Sequence, residues 1–304
     1  MTASMLHILD PGPHTLHGDF SRERAPALTI DPGDTVRFRT LDAGWGLEPH
    51  HPGAYRPRRE LAHEGDGHAL VGPVAIRGAR PGMTLEIEIG AIIPGAYGAV
   101  LAGGWESGWN ERLGVVGDGV VHAYTLDAAT MTGRNQHGHT VALRPFMGIL
   151  GLAPAESGRH STIPPRVTGG NLDCKELVSG STLLLPIAVE GGLFSTGDGH
   201  AAQGDGEVGG TAIECPMERV DLTFRLSDRS LRTPVAHTPA GWITFGLDRD
   251  LDEAAFLALD AMLELIGHEH GMRRRDALAY ASVHVDLHVT QLVNDVRGVH
   301  AILR

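Results

Sequence analysis

Residues 197 to 210 read GDGHAAQGDGEVGG, a run that interleaves Asp198, His200, Asp205 and Glu207 with glycine and offers almost nothing to a core. Glycine loses much conformational freedom on folding, so such a run belongs where unusual backbone angles or a close approach to a ligand are needed, or in a solvated turn. Asp198 and His200 are two residues apart, and side chains at that spacing face the same way in an extended segment. An oxygen and an imidazole nitrogen presented together suit a divalent cation, zinc first and calcium as the alternative. Asp173, upstream in GGNLDCKEL, adds a third donor and leaves a coordination position for water. A cation so held polarises a carbonyl and lowers the pKa of water toward about 7, and Glu207 is then placed to move protons.

Other residues extend this set. Glu214, closing TAIE, and Asp205 are further acids for the same pocket, although either serves equally well as a turn cap. Lys175, two residues from Asp173, offers a cation for an oxyanion or is simply an exposed charge. Cys174 beside it is a candidate thiol nucleophile, since a neighbouring cation lowers a thiol pKa. Of the 18 histidines, those in NQHGHT (135 to 140) and PHHPG (49 to 53) read as loop residues, and His68 and His122 are kept as minor candidates. There is no GxSxG elbow, and GDGEVGG lacks the lysine and hydroxyl of a phosphate-binding loop.

Positioning these groups requires strands. The apolar stretch TLLLPIAV and the segment reaching Ile213 separate the polar clusters, so adjacent strand ends would bring Asp173, the 198 to 207 run and Glu214 to one pocket. Apolar-polar alternation flanks the turns DPGD and ARPG, which predicts hairpins or strand-turn-strand units. Ile89 to Trp105 carries no charge, but it is shorter than the roughly 20 residues of a spanning helix and is broken by Pro94, which predicts a strand and then a loop. Residues 126 to 170 read as loop-rich. Helical spacing of Ala254, Leu257, Ala258, Ala261 and Leu265, after Asp252 and Glu253, predicts a helix over LDEAAFLALDAMLELIGHEH, with a second beginning near Arg274. The fold class is α+β: β-rich, two β lobes that are barrel- or sandwich-like, and C-terminal helices. Residues 1–304 form one catalytic unit, with an N-terminal lobe over 1–145 and a C-terminal lobe over 146–304.

The bulk properties exclude several partners. Net charge is −12 and the basic residues are dispersed, which argues against nucleic acid. The N-terminus shows neither a basic nor an apolar region of a secretory signal, and no segment reads as a membrane span. Two cysteines, Cys174 and Cys215, form no CxxC and suit a reducing cytoplasm.

PFMGILGLAP, PPRVTGGNLDCKEL, LLLPIAVEGGLFSTGDGHAAQGDGEVGGTAIE and HVDLHVTQLVNDVRGVHAIL, in that order, resemble the acetamidase/formamidase family, as do PALTIDPGDTVRFRTLDA and GHALVGPVAIRGARPG nearer the start. The resemblance implies hydrolysis of a short aliphatic amide to carboxylate and ammonia by a cytoplasmic homo-oligomer. It matches the family's GGNxD to Asp173, its GDxH and GDGE elements to Asp198, His200, Asp205 and Glu207, and its terminal Q-x-V to Gln291 and Val293. Departures are Met83, where PGD is expected, and residues 44–65, which align with nothing in the family pattern. Residue chemistry and resemblance meet on one mechanism: Asp173, Asp198 and His200 hold the metal, Glu207 moves protons, and Lys175 or a loop amide steadies the oxyanion. The alternatives are a metal-independent amidase using Lys175 or Cys174, and a non-catalytic small-amide binding protein.

Overall fold

The strands on either side of the two Pro-Gly turns do not pair with each other. In the computed structural model, which describes residues 4–50, 56–59 and 67–304, Leu28–Ile30 and Leu70–Ile76 lie in one sheet. Their partners across the turns, Thr35–Thr40 and Thr84–Pro94, lie in another. Each turn therefore carries the chain from one layer to the other and closes no hairpin.

The larger sheet has nine strands in the order Leu6–Leu9, Thr35–Thr40, Met217–Ser227, Thr84–Pro94, Thr182–Pro186, Val235–Thr238, Gly241–Asp248, Arg297–Leu303 and Val285–Gln291. The second has six: Gly169–Asn171, Phe146–Leu152, Phe194–His200 and Leu70–Ile76 in sequence, with Leu16–His17 and Leu28–Ile30 both paired to the last. A four-stranded sheet, Tyr97–Ala102, Val120–Asp127, Thr132–Asn135 and Thr140–Ala142, completes the set. Both large sheets draw strands from both sides of residue 145.

Side-chain periodicity explains the layers. Along Thr84–Pro94, Leu85, Ile87 and Ile89 are buried while Glu88 is exposed, the period-two pattern of a strand with one wet face. Phe146–Leu152 and Phe194–His200 are buried at every position, so both their faces are covered and alternation disappears. Loss of alternation hides Phe146–Leu152 within residues 126 to 170, a stretch that reads as loops although it holds three complete strands, the end of a fourth and the start of a fifth. The inner faces meet at Phe194, whose ring centroid lies 6.2 Å from Phe38 and 5.1 Å from Phe224 of the nine-stranded sheet. Each such ring contributes about 1.5–3 kcal/mol by leaving water. The architecture is a sandwich, with no closed barrel among the described residues.

Helices arrive late, as the sequence predicts. Leu251–His270 starts where the Asp250 carboxylate accepts the Asp252 and Glu253 amides, and it stops at Gly271, whose φ of 64° favours glycine. Its buried stripe, Ala254, Ala258, Met262 and Leu265, packs on Gly241–Asp248 and Arg297–Leu303. A Cβ on Gly246 would overlap the backbone of Ala254 and Ala258, so glycine sets how closely helix and sheet approach. Arg274–His284 follows, and a short helix, Gly108–Leu113, capped by Ser107, was not expected. No helix among the described residues is long and apolar enough to cross a membrane.

Candidate active site

The glycine-rich run is half strand and half loop. Asp198 and His200 end the strand Phe194–His200, between Phe146–Leu152 and Leu70–Ile76, and both are buried. The next residues cross to Glu214, which forms β-bridges with His200 and Ala99. Asp173 follows the strand Gly169–Asn171, its amide donating to the Gly148 carbonyl at 3.2 Å. Glu207 comes from the loop between, which the Gly206 amide ties to the Thr290 carbonyl at 3.0 Å.

These elements bring Asp173, Asp198, His200, Glu207 and Glu214 together. The His200 Nε2 lies 3.2 Å from an oxygen of Asp198 and 3.2 Å from an oxygen of Glu214, yet it makes no hydrogen bond, and one oxygen each of Asp173 and Glu214 is also buried without a partner. One ligand atom from each of Asp198, His200 and Glu214, and likewise from Asp173, His200 and Glu207, falls within 4.8 Å of the others in its group. Donors around one zinc ion at about 2.0 Å stand about 3.3 Å apart in a tetrahedron, close to the spacing at His200. The floor of this cradle is Gly148: a Cβ there would meet Asp198 Oδ2 at 2.7 Å, His200 Cε1 at 2.8 Å and Asp173 Oδ1 at 2.9 Å. The donors fit a divalent cation.

A second set of residues orients the first. Gln203 Nε2 donates to the Asp173 carbonyl at 2.8 Å, which turns its Oε1 to accept from His200 Nδ1, also at 2.8 Å. With Nδ1 carrying the hydrogen, Nε2 presents a lone pair to the cradle. Phe146 packs edge-on against the same ring, with centroids 5.1 Å apart. Asn294 donates to Asp173 Oδ2 at 2.6 Å, and Gln291 shapes the turn that delivers Asn294 by donating to the Val296 carbonyl at 2.6 Å.

Burial and mutual repulsion govern the charges. Burial, with the Asp198 charge adding to it, pushes Glu207 up to about 7 and Glu214 up to about 8 against the pull of His200. Asp173 is raised well above the carboxylate range by burial and then by Glu207. Asp198 goes the other way: burial opposes ionisation, but His200 and then His68 hold it below the usual range. His200 is raised despite burial because Glu214 and Asp198 flank it. Bare of a cation, this cluster retains protons that a cation would displace.

Asp198, Glu207 and Glu214 open onto a cavity of about 450 Å³ that is also lined by His68, Asn171 and Asn294. Asn171 Nδ2 donates to the Ile163 carbonyl at 3.0 Å, leaving its Oδ1 buried and unpartnered. His68 is held by Thr162, whose hydroxyl lies 2.8 Å from Nδ1. The described part of residues 44–65 contributes Gly44, His50, Arg56 and Arg58 to the wall, and residues 51–55 and 60–65 lie outside the described residues. Met83 sits in a turn with its side chain against the core, away from this cavity. A cavity of about 420 Å³ beside the helix Leu251–His270 gathers no such set of buried acids.

Three candidates fall elsewhere. Lys175 pairs with Asp205 at 2.9 Å and does not line the cavity, so its placement gives no support to a role at an oxyanion. Asp205 itself turns to His288 and His300. Cys174 is fully buried and its thiol is pushed up to about 12 by burial, which leaves no thiolate to attack an amide. Sequence reasoning did not single out Gln203, Asn171, Asn294 or Gly148. Asn171 and Gln203 lay in plain view inside GGNLD and GHAAQGDGE, but only a fold reveals which amide faces an acid.

The Acetamidase/Formamidase family model matches residues 156–240. The formamidase of Methylophilus methylotrophus is 50% identical, the match covering 66% of this chain and 62% of the relative. The acetamidase of Mycolicibacterium smegmatis is 33% identical over 65% of this chain and 61% of its own length. These matches span less than two thirds of either curated relative. A crystal structure of an acetamidase from Bacillus halodurans superimposes with a TM-score of 0.84 at 26% identity, covering 97% of this chain and 96% of that one.

Proposed function

We propose that this chain, which matches the Acetamidase/Formamidase family model over residues 156–240, hydrolyses a short aliphatic amide, of formamide or acetamide type, to a carboxylate and ammonia. The observation that carries this reading is the convergence of Asp173, Asp198, His200, Glu207 and Glu214 over Gly148 at the end of a cavity. Asp173, Asp198 and His200, joined by Glu214, would hold a divalent cation, zinc before calcium because an imidazole is among the donors. When bound, such an ion supplies Lewis acidity, polarising a carbonyl and acidifying water.

The chain's own residues supply the rest. Asn171, with its Nδ2 fixed on Ile163, offers Oδ1 to an N–H of the substrate amide and so orients the C–N bond. Glu207, beside Asp173 and Asn294, accepts the proton of the attacking water as the C–O bond forms, then delivers it to the departing nitrogen as the C–N bond breaks. Gln203 holds the His200 tautomer throughout. The wall formed by Gly44, His50, Arg56 and Arg58 sets preference among short amides. The same reading makes the enzyme a cytoplasmic homo-oligomer, which the two free, buried cysteines suit.

The test is ammonia release from formamide, acetamide and propionamide by protein of measured metal content, before and after chelation. Release that falls with the metal and returns on its addition is the expected result. No release from any of the three amides at full metal occupancy overturns the substrate class, and release indifferent to chelation overturns the metal.

A further inference from the structure

A second cluster lies behind the catalytic loop. Asp205, two residues before Glu207, meets His288 and His300 from the last two strands, Val285–Gln291 and Arg297–Leu303. The two imidazoles stack with centroids 5.1 Å apart and planes within 7°. His288 Nδ1 donates to Asp205 Oδ2 at 3.0 Å. His300 is fully buried, and its Nδ1 is 2.7 Å from the Thr290 hydroxyl. Both Nε2 atoms are buried and have no partner.

Two buried nitrogens side by side with nothing to bind are costly, and the neutral imidazole is a preferred ligand of zinc-class ions. We propose that Asp205, His288 and His300 form a second divalent-cation site, selective for ions that favour imidazole, distinct from the cradle over Gly148. One ligand atom of each lies within 4.8 Å of the others, against about 3.3 Å for donors around one zinc ion, so binding draws the rings together. Lys175, 2.9 Å from the same Asp205 oxygen, is the competing cation. Since the Gly206 amide bonds Thr290 and the Leu292 amide bonds Gly206, an ion here would tie the terminal strands to the loop that carries Glu207.

The test is zinc stoichiometry of the full-length protein by equilibrium dialysis and elemental analysis. Two ions per chain are expected in the native protein and one in Asp198→Asn. His288→Gln, at a half-buried position, should lose one equivalent relative to the native protein, and the double variant should bind none. Lys175→Met should tighten the site that persists in Asp198→Asn. Unchanged stoichiometry and affinity in His288→Gln, or weaker zinc binding after Lys175→Met in the Asp198→Asn background, overturns the proposal. None of these readouts depends on amide hydrolysis, so failure here and failure of the amidase reading are distinguishable.

Discussion

Gly148→Ala places one methyl group where three functional side chains already meet. Its Cβ would stand 2.7 Å from Asp198 Oδ2, 2.8 Å from His200 Cε1 and 2.9 Å from Asp173 Oδ1. Ordinary contact begins near 3.4 Å, so each group must retreat by about 0.5 to 0.7 Å, in three different directions. The φ of Gly148 is not in the left-handed region, so alanine brings no backbone strain of its own. Overpacking of this kind costs about 1–3 kcal/mol of stability, and misplacement approaching 1 Å costs about a hundredfold in rate. The expected outcome is a fall in kcat/KM of roughly ten- to a hundredfold together with weaker metal retention, in a protein that still folds. Ammonia release, bound metal and thermal midpoint are the three readouts. Turnover within about twofold of the native protein, with metal retained, would refute the idea that these donors act as one geometric unit.

Glu207→Gln should lower kcat by about 10²- to 10⁴-fold while leaving the thermal midpoint nearly unchanged; near-normal turnover would remove Glu207 from proton transfer. Asn171→Leu should raise KM more than it lowers kcat, measured on acetamide, because it removes an acceptor offered to the bound amide. Acid sensitivity follows from His17, buried between the Asp19 carbonyl and the Ser195 hydroxyl and lowered by burial from 6.5 to about 4. A folded-state value below the unfolded one means protonation favours unfolding. The contribution, roughly 3 kcal/mol, is complete above pH 6.5 and is lost as the pH falls toward 4. Urea midpoints at pH 7 and pH 4.5 should therefore converge in His17→Asn relative to the native protein, and an identical pH slope in both would contradict it.

The helix Leu251–His270 was legible because its signals are local: Asp252 and Glu253 in the first turn and a 3.6-residue stripe behind them. The convergence of Asp173, Asp198, His200 and Glu207 was legible because these polar residues stand near glycines, where a core has no use for them. The strand Phe146–Leu152 was not legible, since burial on both faces erases alternation and leaves an apolar run no different from a loop between prolines. Lys175 misled for a related reason. Two residues of sequence separation from Asp173 say nothing about which side of a turn a side chain takes, and the Asp173 backbone, at φ 49°, turns the chain so that Lys175 meets Asp205. The Pro-Gly turns gave strands on both sides, but pairing partners depend on which layer each strand joins, and that is decided by contacts far along the chain.

Asp173 at φ 49°, Asp198 at 58° and Glu207 at 47° all occupy backbone that L-residues with side chains avoid. Left-handed backbone costs a residue with a side chain about 1–2 kcal/mol relative to glycine. Substitution of glycine at these three positions would also dissolve a nest of mutually repelling carboxylates. A laboratory selection that rewards heat resistance alone would thus find some of its readiest gains at the residues proposed to carry hydrolysis, and on that proposal its most durable variants would be inert. Screens of this protein for thermostability need turnover scored in the same round.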